Sequence, residues 1–270
     1  MTASNQGESV IENRRAAAFF DLDRTLIAGS SAFVFGHAAW KNGMMPTRDL
    51  LSDGWKAITF RFTGASDDKA NAVRDRILEA IRGSRMEDLL ALGDDIIPRL
   101  LDDVRKESQG FIDLHTETGR HTYMVTASPI EIVQRLSNEL GMTGAIATVA
   151  ETVDGVYTGE LSEPFCYGPA KADAIRRVAE REGYDLELCY AYSDSASDLP
   201  MLEVVGHPVA VNPDNGLEAV ARGRGWPIVE FSRTARKVIR TTTASVGAVA
   251  LAATTYGLGR RHGRRAAIIA

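Results

Sequence analysis

The sequence predicts an α/β protein, in which a Rossmann-like parallel sheet core of three α/β/α layers carries an inserted all-helical cap. The run Ala16–Phe20 is short and wholly apolar, as buried parallel strands are, and it leads directly into Asp21 and Asp23. From about residue 31 to 118 the apolar residues follow helical periods without a convincing strand, and alternating strands and helices resume afterwards. The insertion therefore separates the first strand from the rest of the sheet.

Helices are predicted in the insertion over four stretches: Ser31–Lys41, Pro46–Phe62, Ser66–Arg82, and Ser84–Thr118 with an interruption. The predicted domains are an α/β core of residues 16–28 and 119–232, a helical cap of residues 29–118, and a basic and apolar tail of residues 233–270.

After the insertion, turn residues and apolar runs predict the remaining elements. The predicted strands are Thr122–Thr126, Glu187–Tyr192, Pro208–Asn212 and Trp226–Phe231, and the predicted helices are Pro129–Leu140, Pro169–Glu182 and Asp214–Arg222. Asp154 and Gly155 lie between β-forming residues, a pattern that predicts a tight hairpin within Ala147–Leu161.

Composition excludes several classes of protein. The chain has 270 residues, of which 44% are hydrophobic and 25% charged, so neither disorder nor a disulfide scaffold is indicated. A net charge of -5 argues against general nucleic-acid binding, which needs a dense basic surface. Cys166 and Cys189 lie in apolar surroundings without metal-type spacing, and the N-terminus is polar and unlike a signal peptide. We therefore expect a cytoplasmic protein.

The first strand ends in two carboxylates that the following turn can bring into one pocket. Such a concentration of acid needs a cation, whereas an isolated pair of this kind is ordinarily a solvated loop end. A Ca²⁺ loop beginning at Asp21 would need Gly at position 26 and Glu at position 32, and the chain has Leu26 and Ala32 there.

Further polar residues lie at the ends of later predicted strands and at the start of a later predicted helix. The pattern Asp-x-Asp-x-Thr spans residues 21–25, Thr126 ends a predicted strand, Lys171 opens a predicted helix, and the stretch 192–200 holds Asp194 and Asp198. Over residues 16–231 this order resembles the haloacid dehalogenase superfamily, and in particular its phosphoserine-phosphatase-like subfamily IB. The resemblance implies a phosphatase that acts on a small phosphorylated substrate.

In that resemblance, Asp21 is the nucleophile that attacks phosphorus and Asp23 is the general acid and base. Thr126 and Lys171 correspond to the clamp that holds the phosphoryl oxygens, through a hydroxyl and a point charge. Asp23 also favours a phosphatase over a dehalogenase, because the dehalogenase pattern lacks the second acid.

The resemblance also implies Mg²⁺. Asp21 and Asp194 correspond to direct carboxylate ligands and Asp23 supplies a carbonyl, while Asp198 orients metal-bound water. The chain departs from the common pattern at Ser193, where many members of the superfamily have Gly.

Each residue taken alone has a simpler interpretation: Thr126 as a strand-end cap, Lys171 as a surface charge, and Asp198 as a helix N-terminal residue favoured by the dipole. A non-catalytic phosphate-binding module is the alternative for the whole chain. A replaced Asp21 or Asp23 would favour that module, and both residues are present.

The substrate is less clearly indicated than the reaction. Phosphoserine phosphatases have, nine positions after the nucleophile, a Glu that contacts the substrate ammonium group, and this chain has Ser30 there. The first inserted helices are rich in aromatic residues, most of which are expected to form the core of the cap. Some members of the subfamily that the chain resembles act on phospholipid head groups, so the resemblance makes a lipid phosphate, of the lysophosphatidate or phosphatidylglycerophosphate type, the alternative substrate.

The segment 241–259 is uncharged and has basic residues on both sides. As a helix it would span about 28 Å, close to the thickness of a bilayer core, but it is rich in Ala, Thr and Gly. The sequence leaves two interpretations open, a membrane-associated helix and a flexible or peripheral tail.

Overall fold

A computed structural model describes residues 15–42, 67–231 and 238–240. The strands are β1 (Ala17–Asp21), β2 (His121–Pro129), β3 (Gly144–Thr148), β4 (Ala150–Val153), β5 (Val156–Leu161), β6 (Tyr190–Ser193), β7 (His207–Val211), β8 (Ile228–Glu230) and β9 (Val238–Arg240). The helices are α1 (Ser31–Lys41), α2 (Asp67–Ile81), α3 (Met86–Asp102), α4 (Lys106–Glu117), α5 (Ile130–Glu139), α6 (Pro169–Glu182), α7 (Leu199–Glu203) and α8 (Asn215–Arg224).

Seven strands form one sheet in the order β3-β2-β1-β6-β7-β8-β9. All neighbouring strands from β3 to β8 are parallel, and β9 joins the edge antiparallel to β8. The chain builds outwards on one side of β1 through β2 and β3, and then on the other side through β6, β7 and β8. Ligands of open α/β sheets bind outside the carboxyl ends of the strands at such a reversal. The predicted α/β fold is confirmed.

Two apolar clusters cover the two faces of the sheet, because alternate residues of a strand point to opposite sides. Phe20 belongs to the cluster that α3, α4 and α5 complete, whereas the adjacent Phe19 belongs to the cluster formed with α6, α7 and α8. The sheet is therefore the middle of three layers. The apolar residues of α3 and α4 lie in the same cluster as the sheet and α5.

Most of the predicted elements are present. Helices α1 and α6 have the predicted bounds, and the predicted interruption within residues 84–118 falls between α3 and α4. The helix predicted over residues 46–62 lies outside the described residues, as does the uncharged segment 241–259. Among the described residues, no helix is long and apolar enough to cross a bilayer. Strands β3 and β9 were not predicted.

The insertion leaves and re-enters the sheet at one place. The amide of Ala28 donates to the carbonyl of Asp103 at 2.8 Å, and the amide of Arg105 donates to the carbonyl of Leu26 at 2.9 Å. The two connecting segments are therefore paired main chain to main chain. Between them, residues 31–42 and 67–102 are described, and their regular elements are all helical. The boundaries of the predicted cap, 29 and 118, stay a prediction.

The predicted hairpin is formed by β4 and β5, with Asp154 and Gly155 at its turn. Both have positive φ angles, 51° and 76°, as a two-residue hairpin turn of this kind requires. The hairpin contacts the turn between α2 and α3 through main-chain bonds: Gly83 donates to Tyr157 at 2.9 Å, Tyr157 to Ser84 at 3.0 Å, and Met86 to Gly155 at 2.9 Å.

Candidate active site

Polar side chains collect at the carboxyl edge of the sheet, beside β1. Asp21 is the last residue of β1 and pairs in register with Val125 of β2, so that Thr126 follows one position further along the neighbouring strand. Asp194 directly follows β6, on the other side of β1. Asp21, Thr126 and Asp194 are buried. The sheet order therefore brings residues that are far apart in the sequence to one edge.

Lys171 connects two of the acidic residues. It lies in the first turn of α6 with its side chain buried, so the interpretation as a solvated surface charge is wrong. Its Nζ donates to Asp21 Oδ1 at 2.6 Å and to Asp198 Oδ2 at 2.9 Å. Burial alone would lower the pKa of Lys171, but the charges of Asp198 and Asp21 outweigh burial and raise that pKa. Lys171 is therefore held in its ammonium form beside Asp21 and Asp198.

Asp23 is held by the beginning of α1. Its Oδ1 accepts from the Ser31 amide at 2.5 Å, and its Oδ2 accepts from the Ser31 hydroxyl at 3.2 Å. The Ser31 and Ser128 hydroxyl oxygens are 2.9 Å apart, and Thr126 Oγ1 accepts from the Ser128 amide at 3.2 Å. Burial raises the pKa of Asp23, and the two bonds from Ser31 partly oppose that rise. Asp23 and Thr126 are thus linked through two serines.

Arg24 was missed by the sequence reasoning. It lies in the left-handed region with φ of 61°, and its Nη2 is 2.6 Å from Asp194 Oδ2. The only signal in the sequence was its position inside the Asp-x-Asp-x-Thr pattern, directly after Asp23. The guanidinium gives Asp194 a positively charged partner.

Ser193 contacts Asp198 directly. The Ser193 side chain is fully buried, and its hydroxyl donates to Asp198 Oδ2 at 2.7 Å. Asp198 Oδ2 therefore accepts from both Ser193 and Lys171. Asp198 does precede the first residue of α7, as the simpler interpretation expects, but its side chain is also buried and accepts from both donors.

Acidic side chains outnumber basic side chains in the candidate site. Burial, together with the charges of Asp198 and Asp23, raises the pKa of Asp21 to about 7, against the opposing charge of Lys171. Burial and the charge of Asp21 likewise hold the pKa of Asp194 well above its usual range. Two buried carboxylates with raised pKa values are suited to an added cation.

The oxygen donors suit Mg²⁺ in particular. Among the described residues, no group of three Asp, Glu, His or Cys side chains could hold a metal ion by itself. Mg²⁺ typically uses one or two carboxylates and keeps several waters, so it does not require such a group. The carboxylates of Asp21 and Asp194 and the carbonyl of Asp23 fit this requirement.

A parallel sheet gathers buried acids and a buried lysine at its carboxyl edge, and relatives of the chain are named as phosphatases, which makes it a hydrolase of the phosphatase class. The chain belongs to the haloacid dehalogenase-like hydrolase family, whose family model matches residues 18–203. It is 41% identical over 253 residues to phosphoserine phosphatase SerB1 of Mycobacterium tuberculosis, a match that covers 93% of this chain and 81% of that protein.

Two solved structures share the fold. A protein of unknown function from Bordetella pertussis has a TM-score of 0.70 and 24% identity, over 80% of this chain and 98% of that one. A phospho-aspartyl intermediate analogue of phosphoserine phosphatase has a TM-score of 0.57 and 19% identity, over 76% and 90% of the two chains. At these identities the likeness concerns the fold alone.

Proposed function

We propose that this phosphatase hydrolyses phosphomonoesters with Mg²⁺, through a transient aspartyl-phosphate on Asp21. The observation that carries the proposal is the 2.6 Å contact of the buried Lys171 ammonium with Asp21, at a strand end that also presents Asp23. A non-catalytic phosphate-binding module would need the Lys171 ammonium to hold phosphate, but it would not need Asp21 and Asp23 beside that ammonium.

In the first step an oxygen of the Asp21 carboxylate attacks phosphorus, and the bond from phosphorus to the ester oxygen breaks. Asp23 gives its proton to the departing oxygen, and the raised pKa of Asp23 makes that proton available. In the second step water attacks the phosphorus of the acyl phosphate. Asp23 takes a proton from that water, the bond to Asp21 breaks, and inorganic phosphate leaves.

The remaining residues hold charge and orientation. Thr126 and Lys171 would hold the phosphoryl oxygens, and Asp198 would fix the ammonium of Lys171 and orient metal-bound water. Asp21, Asp194 and the Asp23 carbonyl would hold Mg²⁺, which when bound neutralises negative charge on the phosphoryl group.

The test is a rapid-quench search for phosphate on Asp21 by mass spectrometry. Wild type should show the phosphoenzyme transiently, and Asp23→Asn should accumulate it, because the second step loses its base. The matched control is Asp113→Asn, a substitution in α4 away from the carboxyl edge, which should behave as wild type. Finding no phosphoenzyme in wild type or in Asp23→Asn, with turnover intact, would overturn the covalent route.

For the substrate we propose a small phosphomonoester, and the relative named phosphoserine phosphatase supports that class. Ser30 offers no charge to an ammonium group, and α1, which contacts Asp23 through Ser31, leaves Phe33 47% exposed. We therefore propose that an ester more apolar than phosphoserine is preferred. A phospholipid head group remains the second candidate, and its distinguishing segment, 241–259, lies outside the described residues. The two buried thiols support a cytoplasmic location.

A further inference from the structure

The loop that follows β6 carries two acidic residues of the candidate site. Within it, the Ser195 amide donates to the Ser193 hydroxyl at 3.2 Å, the Asp198 amide donates to the Ser195 carbonyl at 3.1 Å, and the Ser195 and Ser197 hydroxyl oxygens are 3.0 Å apart. Arg24 and Lys171 contact the side chains of Asp194 and Asp198, at the two ends of the loop. None of these bonds joins the main chain of the loop to a neighbouring element.

Asp214, in the turn between β7 and α8, makes that connection. Its amide donates to the Asp194 carbonyl at 2.7 Å. Its Oδ2 accepts from the Ala196 amide at 3.0 Å and from the Ser195 hydroxyl at 3.2 Å. Three bonds therefore join a single residue to three consecutive residues of the loop.

Asp214 is itself held in place. Its other oxygen, Oδ1, accepts from the Leu217 amide at 2.8 Å and so caps α8. The turn before it is fixed by Asn212, whose amide donates to Val229 at 2.8 Å and whose Oδ1 accepts from the Phe231 amide at 2.7 Å. The loop is thus tied to a turn that is tied to the sheet.

The approach of α8 to the loop is also close. A Cβ atom added at Gly216 would lie 3.0 Å from the Ala196 side chain and 3.4 Å from Asp214 Oδ1. Any larger residue there would push against the same loop that Asp214 holds. Gly216 therefore offers an independent means of disturbing the contact.

We propose that Asp214 is a positioning residue for the metal site, which acts by holding the loop 194–198 through its Oδ2 atom. The inference rests on the proposed function, since it concerns how Asp194 and Asp198 are presented. Residues that orient metal ligands through hydrogen bonds typically change metal affinity or activity by 10- to 100-fold when they are replaced.

The test compares Asp214→Ser with wild type and with Asp185→Ser. Serine keeps a cap for α8 but is too short to reach Ala196 as well. Asp185 accepts from the Glu187 amide at 3.1 Å and stands before β6, at the opposite end of that strand, so Asp185→Ser is the matched replacement of a capping aspartate by serine. Two quantities are measured: Mg²⁺ affinity by calorimetry, and hydrogen exchange of the Ala196 amide in metal-free protein.

We expect Asp214→Ser to bind Mg²⁺ at least about 10-fold more weakly and to lose protection at Ala196, while Asp185→Ser matches wild type in both. Gly216→Ala should weaken Mg²⁺ binding in the same direction, which keeps the test available if Asp214→Ser does not fold. Wild-type Mg²⁺ affinity in Asp214→Ser, or in Gly216→Ala if that variant alone folds, would overturn the inference. If wild type itself bound no Mg²⁺, the proposed metal site would fail, whereas the exchange of Ala196 would still report whether Asp214 holds the loop.

Discussion

Replacing Lys171 by Met should destabilise the metal-free protein in a pH-dependent way. The ammonium is the buried hydrogen-bonding partner of Asp21 at 2.6 Å and of Asp198 at 2.9 Å. Removing one partner of a buried ion pair costs about 3–5 kcal/mol, because the charge that remains is left uncompensated. For a protein of this size that loss corresponds to a fall in Tm of roughly 6–20 °C.

The sign of the pH dependence follows from Asp21. Its pKa in the folded protein is raised from 3.8 to about 7, and Lys171 is what opposes a further rise. A carboxyl group whose pKa is higher in the folded than in the unfolded protein opposes folding when it is ionised. The unfavourable contribution of Asp21 to the free energy of unfolding therefore grows as the pH rises above 3.8. Without Lys171 that pKa rises further, and the deficit of the variant should be larger at pH 8.5 than at pH 6.

The assay is thermal unfolding of wild type and variant in EDTA at both pH values. Lys41→Met is the matched control, because Lys41 pairs with Asp95 at 2.9 Å on the surface, where such pairs contribute little. It should change Tm only slightly, and equally at both pH values. A Lys171→Met deficit as small as that of Lys41→Met, or one independent of pH, would refute the reasoning.

Three further predictions concern turnover. Asp21→Asn should lower kcat by more than about 1,000-fold with the fold intact, because a neutral amide cannot attack phosphorus; near-wild-type activity with an unchanged circular-dichroism spectrum would exclude Asp21 as the nucleophile. EDTA should abolish activity, Mg²⁺ should restore it, and Ca²⁺ should inhibit, since its larger and looser shell suits the transfer poorly; equal rates with Ca²⁺ in a metal titration would contradict the predicted requirement for Mg²⁺. The kcat/KM of wild type for phosphoserine should not exceed that for neutral phosphate esters by tenfold, and such a preference would refute the prediction. Ser30→Glu should raise kcat/KM for phosphoserine relative to the neutral esters, and Ser30→Gln is the uncharged control.

The sequence predicted the parts of the fold that depend on local pattern. Ala16–Phe20 has no polar residue, and a strand is present there one residue further on, at Ala17–Asp21. Pro169 and the left-handed Gly183 are typical of a helix start and a helix end, and α6 has the predicted bounds. Strand β9 gave no such signal, because Val238–Arg240 stands among basic residues, and among the described residues it pairs with β8 alone, at the edge of the sheet.

The candidate site was predicted as a set of residues and not as a set of contacts. Asp21 and Lys171 are 150 positions apart, and nothing in either local sequence indicates that the ammonium bonds one carboxylate on β1 and another after β6. Ser31 and Asp214 were not singled out, since a serine beginning a helix and an aspartate capping one are ordinary local features. Their contacts with Asp23 and Ala196 depend on how the helices are placed on the sheet.

The attachment of the insertion to the hairpin affects how this protein can vary. Gly83, Ser84 and Met86 contact Gly155 and Tyr157 through amide and carbonyl groups, which every residue except proline provides in full. Gly83 has a φ of 79°, which favours glycine, but most substitutions at Ser84 and Met86 would leave these bonds in place. The orientation of α2 and α3 on the hairpin can therefore be kept while the side chains of these helices change. Relatives could acquire different substrates without a change in the contacts between the insertion and the hairpin.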